Sequence, residues 1–191
     1  SHPIKPNEYI EINNFYTSTI YEKGSEVIRM IHTFLGKDGF RKGIEKYFEL
    51  YDGMAVTTED FLHAMSVANN NFDFEQFKHW YTQRGTPEVE INHSYKADEK
   101  KLLVKVVQRP PKTLPRDEWK PYHLPLCLGL ISEESGEESM LVLDDKTGQQ
   151  DLEKGILHIK KEEEEFCFNN VQDKPLLSVN SSPSSHLPLL L

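Results

Sequence analysis

The side chains first placed to do chemistry are the eight histidines, His2, His32, His63, His79, His93, His123, His158 and His186. A hydrolytic zinc site commonly sets two imidazoles one helical turn apart, with a glutamate beside the first as general base, in the pattern His-Glu-x-x-His. None of the eight is followed by Glu or lies four residues from another His, so each reads as a surface or satisfied core histidine. The chain has no GxGxxG or GxxxxGK[ST] phosphate loop and no Gly-x-Ser-x-Gly elbow. Its two cysteines, Cys127 and Cys167, form no CxxC pair and are too few for a disulfide scaffold. Nucleotide binding and serine or cysteine catalysis therefore lack a motif.

One segment differs. Asn13-Asn14-Phe15-Tyr16-Thr17-Ser18-Thr19-Ile20-Tyr21-Glu22-Lys23-Gly24 is polar and aromatic and leads directly into a helical pattern, as a loop that presents side chains would. A phenol is protonated at neutral pH and can donate a short hydrogen bond to an oxygen that gains negative charge in a transition state. On residue type and spacing alone, ordinary packing with the hydroxyl satisfied is the favoured reading of Tyr21.

The elements that must position such a residue follow from periodicity. Ser25 to Leu35 places Val27, Ile31, Phe34 and Leu35 at helical spacing, and Gly36 stops the run. Asp38 to Tyr51 carries Phe40, Ile44, Tyr47, Phe48 and Tyr51 on one side of a second helix. Thr57 and Asp60 form a capping arrangement ahead of a stripe of Phe61, Leu62, Ala64, Met65 and Ala68. A fourth helix is predicted from Asp73 to the Gly85-Thr86-Pro87 break, burying Phe74, Phe77, Trp80 and Tyr81.

Beyond Pro87 the period falls from 3.6 to 2. Val89 to Tyr95 and Leu102 to Val107 read as a hairpin around Ala97-Asp98-Glu99. A longer strand alternates through Tyr122, Leu124, Leu126, Leu128 and Leu130, and Met140 to Leu143, Ile156 to Ile159 and Phe166 to Phe168 follow. Pro110, Pro111, Pro115 and Pro121 mark a surface connection, and Glu162 to Glu165 reads as a solvated charge run. The fold class is α+β: a helical portion over residues 1–86, an antiparallel β-sandwich over 87–180 and a disordered or aberrant tail over 181–191.

Composition sets outer limits. The 191 residues are 37% hydrophobic, enough for a core, and the formal charge of −9 disfavours nucleic acid or anionic membrane as partner. No stretch approaches the roughly 20 apolar residues of a membrane span. The start at Ser1 reads as that of a processed product or internal fragment, and the compartment stays open, with a cytoplasmic one favoured.

With these residues in view, the sequence resembles the zinc aminopeptidases of the aminopeptidase N family. Ser1-His2-Pro3-Ile4-Lys5-Pro6 is similar to the family's His-Pro-[Ile/Val]-Arg-Pro stretch, with Lys5 where Arg is common. Asn14-Phe15-Tyr16-Thr17, Tyr21-Glu22-Lys23-Gly24 and Val27-Ile28-Arg29-Met30 resemble its catalytic-tyrosine region. Trp80-Tyr81-Thr82-Gln83-Arg84-Gly85-Thr86-Pro87 is similar to the boundary between its thermolysin-like catalytic domain and a small Ig-like β-sandwich. The likeness covers roughly residues 1 to 179. After Ser178 the family continues with an Arg-Gly-Phe-Ser-Ala-Pro-like segment that is replaced here by Ser181-Ser182-Pro183, as a truncation or a frame or splice error would leave it.

The resemblance implies that residues 1–86 are the C-terminal helical part of a peptidase domain. It implies hydrolysis of N-terminal residues from peptide substrates, with zinc as Lewis acid and a glutamate as general base. The family's zinc motif and its amine-binding Gly-x-Met-Glu-Asn have no counterpart in the chain, so zinc is expected in an intact parent enzyme and not on these residues. Tyr21 matches the tyrosine that stabilises the tetrahedral oxyanion, and Tyr16 a position lining the substrate pocket. The expected partners within such a parent are an upstream catalytic half and a downstream helical domain. The isolated chain is expected to be inactive, and a detached half-domain would expose Phe15, Phe34 and Phe48. The alternative is a short non-catalytic protein-interaction module.

Overall fold

A computed structural model describes residues 3–5, 19–139, 141–143 and 155–179. Tyr16, Phe15 and the tail 181–191 lie outside the described residues, and so does Met140, the start of one predicted strand.

Helix α1 (Gly24–Tyr51) follows from the two amphipathic runs, which it joins across Gly36. Gly36 has φ 70° and ψ 171°, a conformation that costs a side-chain-bearing residue far more than glycine, so the predicted stop is a kink between two helical segments. Helix α2 (Thr58–Val67) starts with the predicted capping box: Asp60 N donates to Thr57 Oγ1, and Thr57 N donates to Asp60 Oδ2 at 2.8 Å. Leu62, Ala64 and Met65 are buried as expected, with Phe61 and Ala68 half-buried beside them.

The helix predicted from Asp73 is not continuous. Asp73 Oδ1 accepts Glu75 N at 2.9 Å, a local side-chain bond that competes with helix formation. A single 3₁₀ turn (Gln76–Lys78) and the short helix α3 (His79–Thr82) follow. Phe74, Phe77, Trp80 and Tyr81 are nevertheless all buried, as the pattern requires.

Strands β1 (Glu88–Lys96) and β2 (Lys101–Arg109) form the predicted hairpin, antiparallel from Glu88↔Arg109 to Lys96↔Lys101. The central strand of the second sheet is β3 (Leu124–Ser132), which pairs antiparallel with β4 (Glu138–Ser139), β5 (Ile156–Ile159) and β7 (Pro175–Val179). Strand β6 (Glu163–Phe168) joins the first sheet beside β2. Two departures from expectation have physical causes. The acidic run is not bland surface: Glu163 bonds Lys105 at 2.6 Å, Glu162 pairs with Arg116, and Glu164 Oε2 accepts the amides of Lys160 and Lys161. Strand β3 is buried on both faces and not alternately, because Leu124, Leu126, Leu128 and Leu130 lie on one face while the opposite face, carrying Pro125 and Cys127, is covered as well.

What covers that second face is the helical unit. Across from Pro125 stands His158, whose ring packs 4.8 Å from Phe34 of α1. Phe34 also meets His123 at 4.4 Å, Phe72 at 5.5 Å and Phe77 at 6.1 Å. One hydrophobic core thus runs from α1 through the 3₁₀ turn into the sandwich. Phe34 is only 2% exposed, contrary to the expectation of an uncovered aromatic face, whereas Phe48 is 59% exposed as expected.

His123 Nε2 and His158 Nδ1 share a hydrogen bond at 3.1 Å inside this core. Burial first, then the Lys160 ammonium and His158, push the His123 imidazole down to about 3, against a weaker opposing pull from Asp73. An unfolded chain with an ordinary value of 6.5 binds this proton at higher pH than the fold does, so the fold loses stability as pH falls from 6.5 towards 3. His123→Gln is expected to flatten that acid limb, which for one proton has a slope of up to about 1.4 kcal/mol per pH unit; thermal melts of both proteins across this pH range check it. Phe34→Ala is expected to cost about 3–5 kcal/mol, read in urea titrations as simultaneous loss of helical and sheet signals.

Candidate functional site

Tyr21 sits in a π-helical turn (Thr19–Lys23) that runs straight into α1, and not in the open loop that its composition suggested. Single π-helical turns are rare and recur at functional sites. Ser25 Oγ donates to Glu22 O at 2.9 Å and fastens the turn to the helix start. Below it, Val27, Met30 and Ile31 anchor the first turns of α1 in the core. Tyr21 is 64% exposed, so the fold leaves much of this residue open to solvent on an anchored base.

The turn is also held from across the chain by a residue that the motif reading did not single out. Lys23 Nζ donates to Gln83 O at 3.0 Å and to Gly85 O at 2.8 Å, and lies 6.0 Å from the centre of the Trp80 ring. Burial pushes the Lys23 ammonium down to about 8. Its two acceptors are themselves fixed. The Gln83 side chain donates to Lys120 O at 2.9 Å and accepts from Lys120 N at 2.7 Å. Gly85 has φ 79°, and a Cβ there would fall 2.7 Å from Pro111 Cβ and 2.6 Å from Thr113 Oγ1, so the site accepts only glycine without displacement. Trp80 donates its indole N–H to His123 O at 2.9 Å and packs 4.3 Å from the Tyr122 ring. Nothing in sequence spacing signals Lys23, because its partners are backbone oxygens some sixty residues away.

The described opening residues reach the same region. Lys5 N donates to Tyr81 O at 3.0 Å, and Lys5 Nζ bonds Glu59 at 2.7 Å. That bond is the main reason the Glu59 carboxyl is held down at about 2. The other expected site residue, Tyr16, lies outside the described residues.

Among the described residues, no group of three or more His, Cys, Asp or Glu side chains is placed to hold a metal ion. The closely paired imidazoles of His123 and His158 are bonded to each other between Phe34 and Phe72, a donor set that does not fit a zinc ion. The arrangement offers instead one outward phenol on a braced turn, able to donate a hydrogen bond to an oxygen brought against it.

Comparison with known proteins places these features in a family. Residues 1–81 match the model of the peptidase family M1 domain, and residues 85–189 match that of DUF3458, a domain of unknown function with an Ig-like fold. Aminopeptidase N of Escherichia coli is 40% identical over 176 residues, covering 92% of this chain, and aminopeptidase N of Haemophilus influenzae is 41% identical over the same length and share. The chain spans 19% of the length of either relative. A crystal structure of Legionella pneumophila aminopeptidase A in complex with aspartic acid superposes with a TM-score of 0.69 at 26% identity, over 90% of this chain and 18% of that one. With an M1 peptidase segment built of helices and an Ig-like sandwich packed onto it, the chain belongs to the aminopeptidase N family of M1 peptidases.

Proposed function

We propose that this chain serves in a zinc aminopeptidase that removes N-terminal residues from peptides, and that Tyr21 stabilises the oxyanion of the tetrahedral intermediate. The observation that carries this reading is the exposed Tyr21 on a turn held by Ser25 and Lys23, within a segment matching the M1 peptidase model. On this reading the zinc is held by residues outside this chain. Tyr21 needs no metal ligand for its part: its O–H donates a hydrogen bond to the carbonyl oxygen, and that bond strengthens as the oxygen becomes an oxyanion. Because the turn is fixed before substrate arrives, little reorganisation opposes the bond when it forms. Tyr16, five residues earlier, lines the substrate pocket in this proposal.

A second reading, a short non-catalytic interaction module, is favoured by one observation. The core passes without interruption from α1 into the sandwich and buries Phe34, as a self-contained unit would. The two readings separate on activity of a longer, zinc-loaded chain that includes this segment.

In such a chain, Tyr21→Phe is expected to lower kcat by about 10²–10³ while changing KM little, the pattern of a donor engaged only in the transition state. Steady-state kinetics on an aminoacyl amide measures it, and near-normal turnover overturns the assignment. The 191-residue chain alone is expected to retain negligible zinc after dialysis and to hydrolyse no aminoacyl amide. Stoichiometric zinc with sustained hydrolysis would refute that expectation.

A further inference from the structure

We propose that Lys23 is the positioning residue for Tyr21: its ammonium, clamped on Gln83 O and Gly85 O beside the Trp80 ring, fixes the π-helical turn that aims the phenol. The inference rests on the proposed role of Tyr21 and adds the part of the molecule that holds it in place.

Three observations converge. Lys23 is the last residue of the same turn, two positions from Tyr21, so a shift in one is transmitted to the other through two peptide units. Its acceptors lie in the link between α3 and β1, outside the helices and strands, where Gln83 is locked onto Lys120 and Gly85 is seated against Pro111 and Thr113. The clamp therefore ties the turn to the sandwich and not merely to its own helix. Finally, Lys23 answers two carbonyls with a single charged donor, and charge-assisted bonds of this kind are about twice as strong as neutral ones. A side chain that left these oxygens unanswered would release the turn at its C-terminal end. A misplacement of about 1 Å can cost about 10²-fold in rate.

The test is Lys23→Met in a zinc-loaded aminopeptidase chain containing this segment, alongside Tyr21→Phe and the double variant. Lys23→Met is expected to reduce kcat by about tenfold or more with KM held within about twofold. In the Tyr21→Phe background the same change is expected to have almost no further effect, because there is no phenol left to aim. An independent readout uses the 191-residue chain itself: amide hydrogen exchange of residues 20–24 is expected to accelerate about tenfold or more in Lys23→Met, while exchange in α2 stays unchanged. Lys23→Arg, which keeps a charged donor, is expected to recover most of both losses; should Lys23→Met not fold, Lys23→Gln takes its place.

Unchanged kcat in Lys23→Met where Tyr21→Phe is severely impaired overturns the positioning role and leaves the oxyanion reading standing. An equal loss in both backgrounds also overturns it, since Lys23 would then act independently of the phenol. Normal turnover of Tyr21→Phe removes the oxyanion reading itself, and the exchange result then reports only a structural clamp.

Discussion

The structure depends on how the backbone carbonyls at the edge of the sandwich are satisfied where the helical unit covers them. The chain between the two sheets passes under α3, where the oxygens of Lys120, Pro121 and His123 are met by side chains. Gln76 and His79 donate to Pro121 O, Trp80 donates to His123 O, Gln83 donates to Lys120 O, and Gln76 also reaches Lys160 O. From the sandwich side, the buried Gln108 bonds Tyr122 through both its amide oxygen and its nitrogen. A buried carbonyl without a donor costs about 1–3 kcal/mol, so these pairings must form together if the helices and sheets are to pack at all. Phe34 and Phe72 then close over the same face and exclude water from it.

This constraint explains where sequence patterns succeeded and where they failed. Gly36, the Thr57 cap and the hairpin are local, decided by residues within a few positions of one another, and were readable as such. The stretch after Asp73 has an apolar pattern fit for a helix, yet its polar residues Gln76, His79 and Gln83 are committed to backbone oxygens of the connection leading into β3, and a regular helix gives way to a tighter turn. The period-two leucines of β3 correctly marked a strand but concealed that its other face is buried too, since Pro125 and Cys127 carry no obvious apolar signal of their own. The strand β7 went unread because Pro175-Leu176-Leu177 shows no alternation, and its pairing with β3 is supplied entirely by a tertiary partner.

The candidate site was legible to a lesser degree. A tyrosine in a polar, aromatic run is ambiguous by residue type, and Tyr21 stood out only through its resemblance to a family motif. What spacing cannot express is that its turn is π-helical and is held by Lys23 on two main-chain oxygens, which have no residue identity to recognise. The boundary motif around Trp80 and Gly85 was legible as a break in the chain. Its further role as the wall against which the turn is braced appears only in three dimensions.

The acidic strand β6 has a consequence for behaviour in solution. Among the described residues it lies at the edge of the three-stranded sheet, beside β2; Leu143 bridges Phe168 at its far end, and its first half presents backbone groups to which another extended chain could add. Glu163, Glu164 and Glu165 occupy its first half, with the bond from Glu163 to Lys105 and the amides that Glu164 accepts offsetting part of their charge. Two such edges approaching one another would bring these carboxylates together in water of low ionic strength, where repulsion is felt over tens of ångströms and shrinks to about 8 Å in physiological salt. Glu164, which closes the turn before β6, and its neighbours Glu163 and Glu165 thus give the sheet an electrostatic guard against edge-to-edge association, and colloidal stability follows from residues that a core-centred view would pass over.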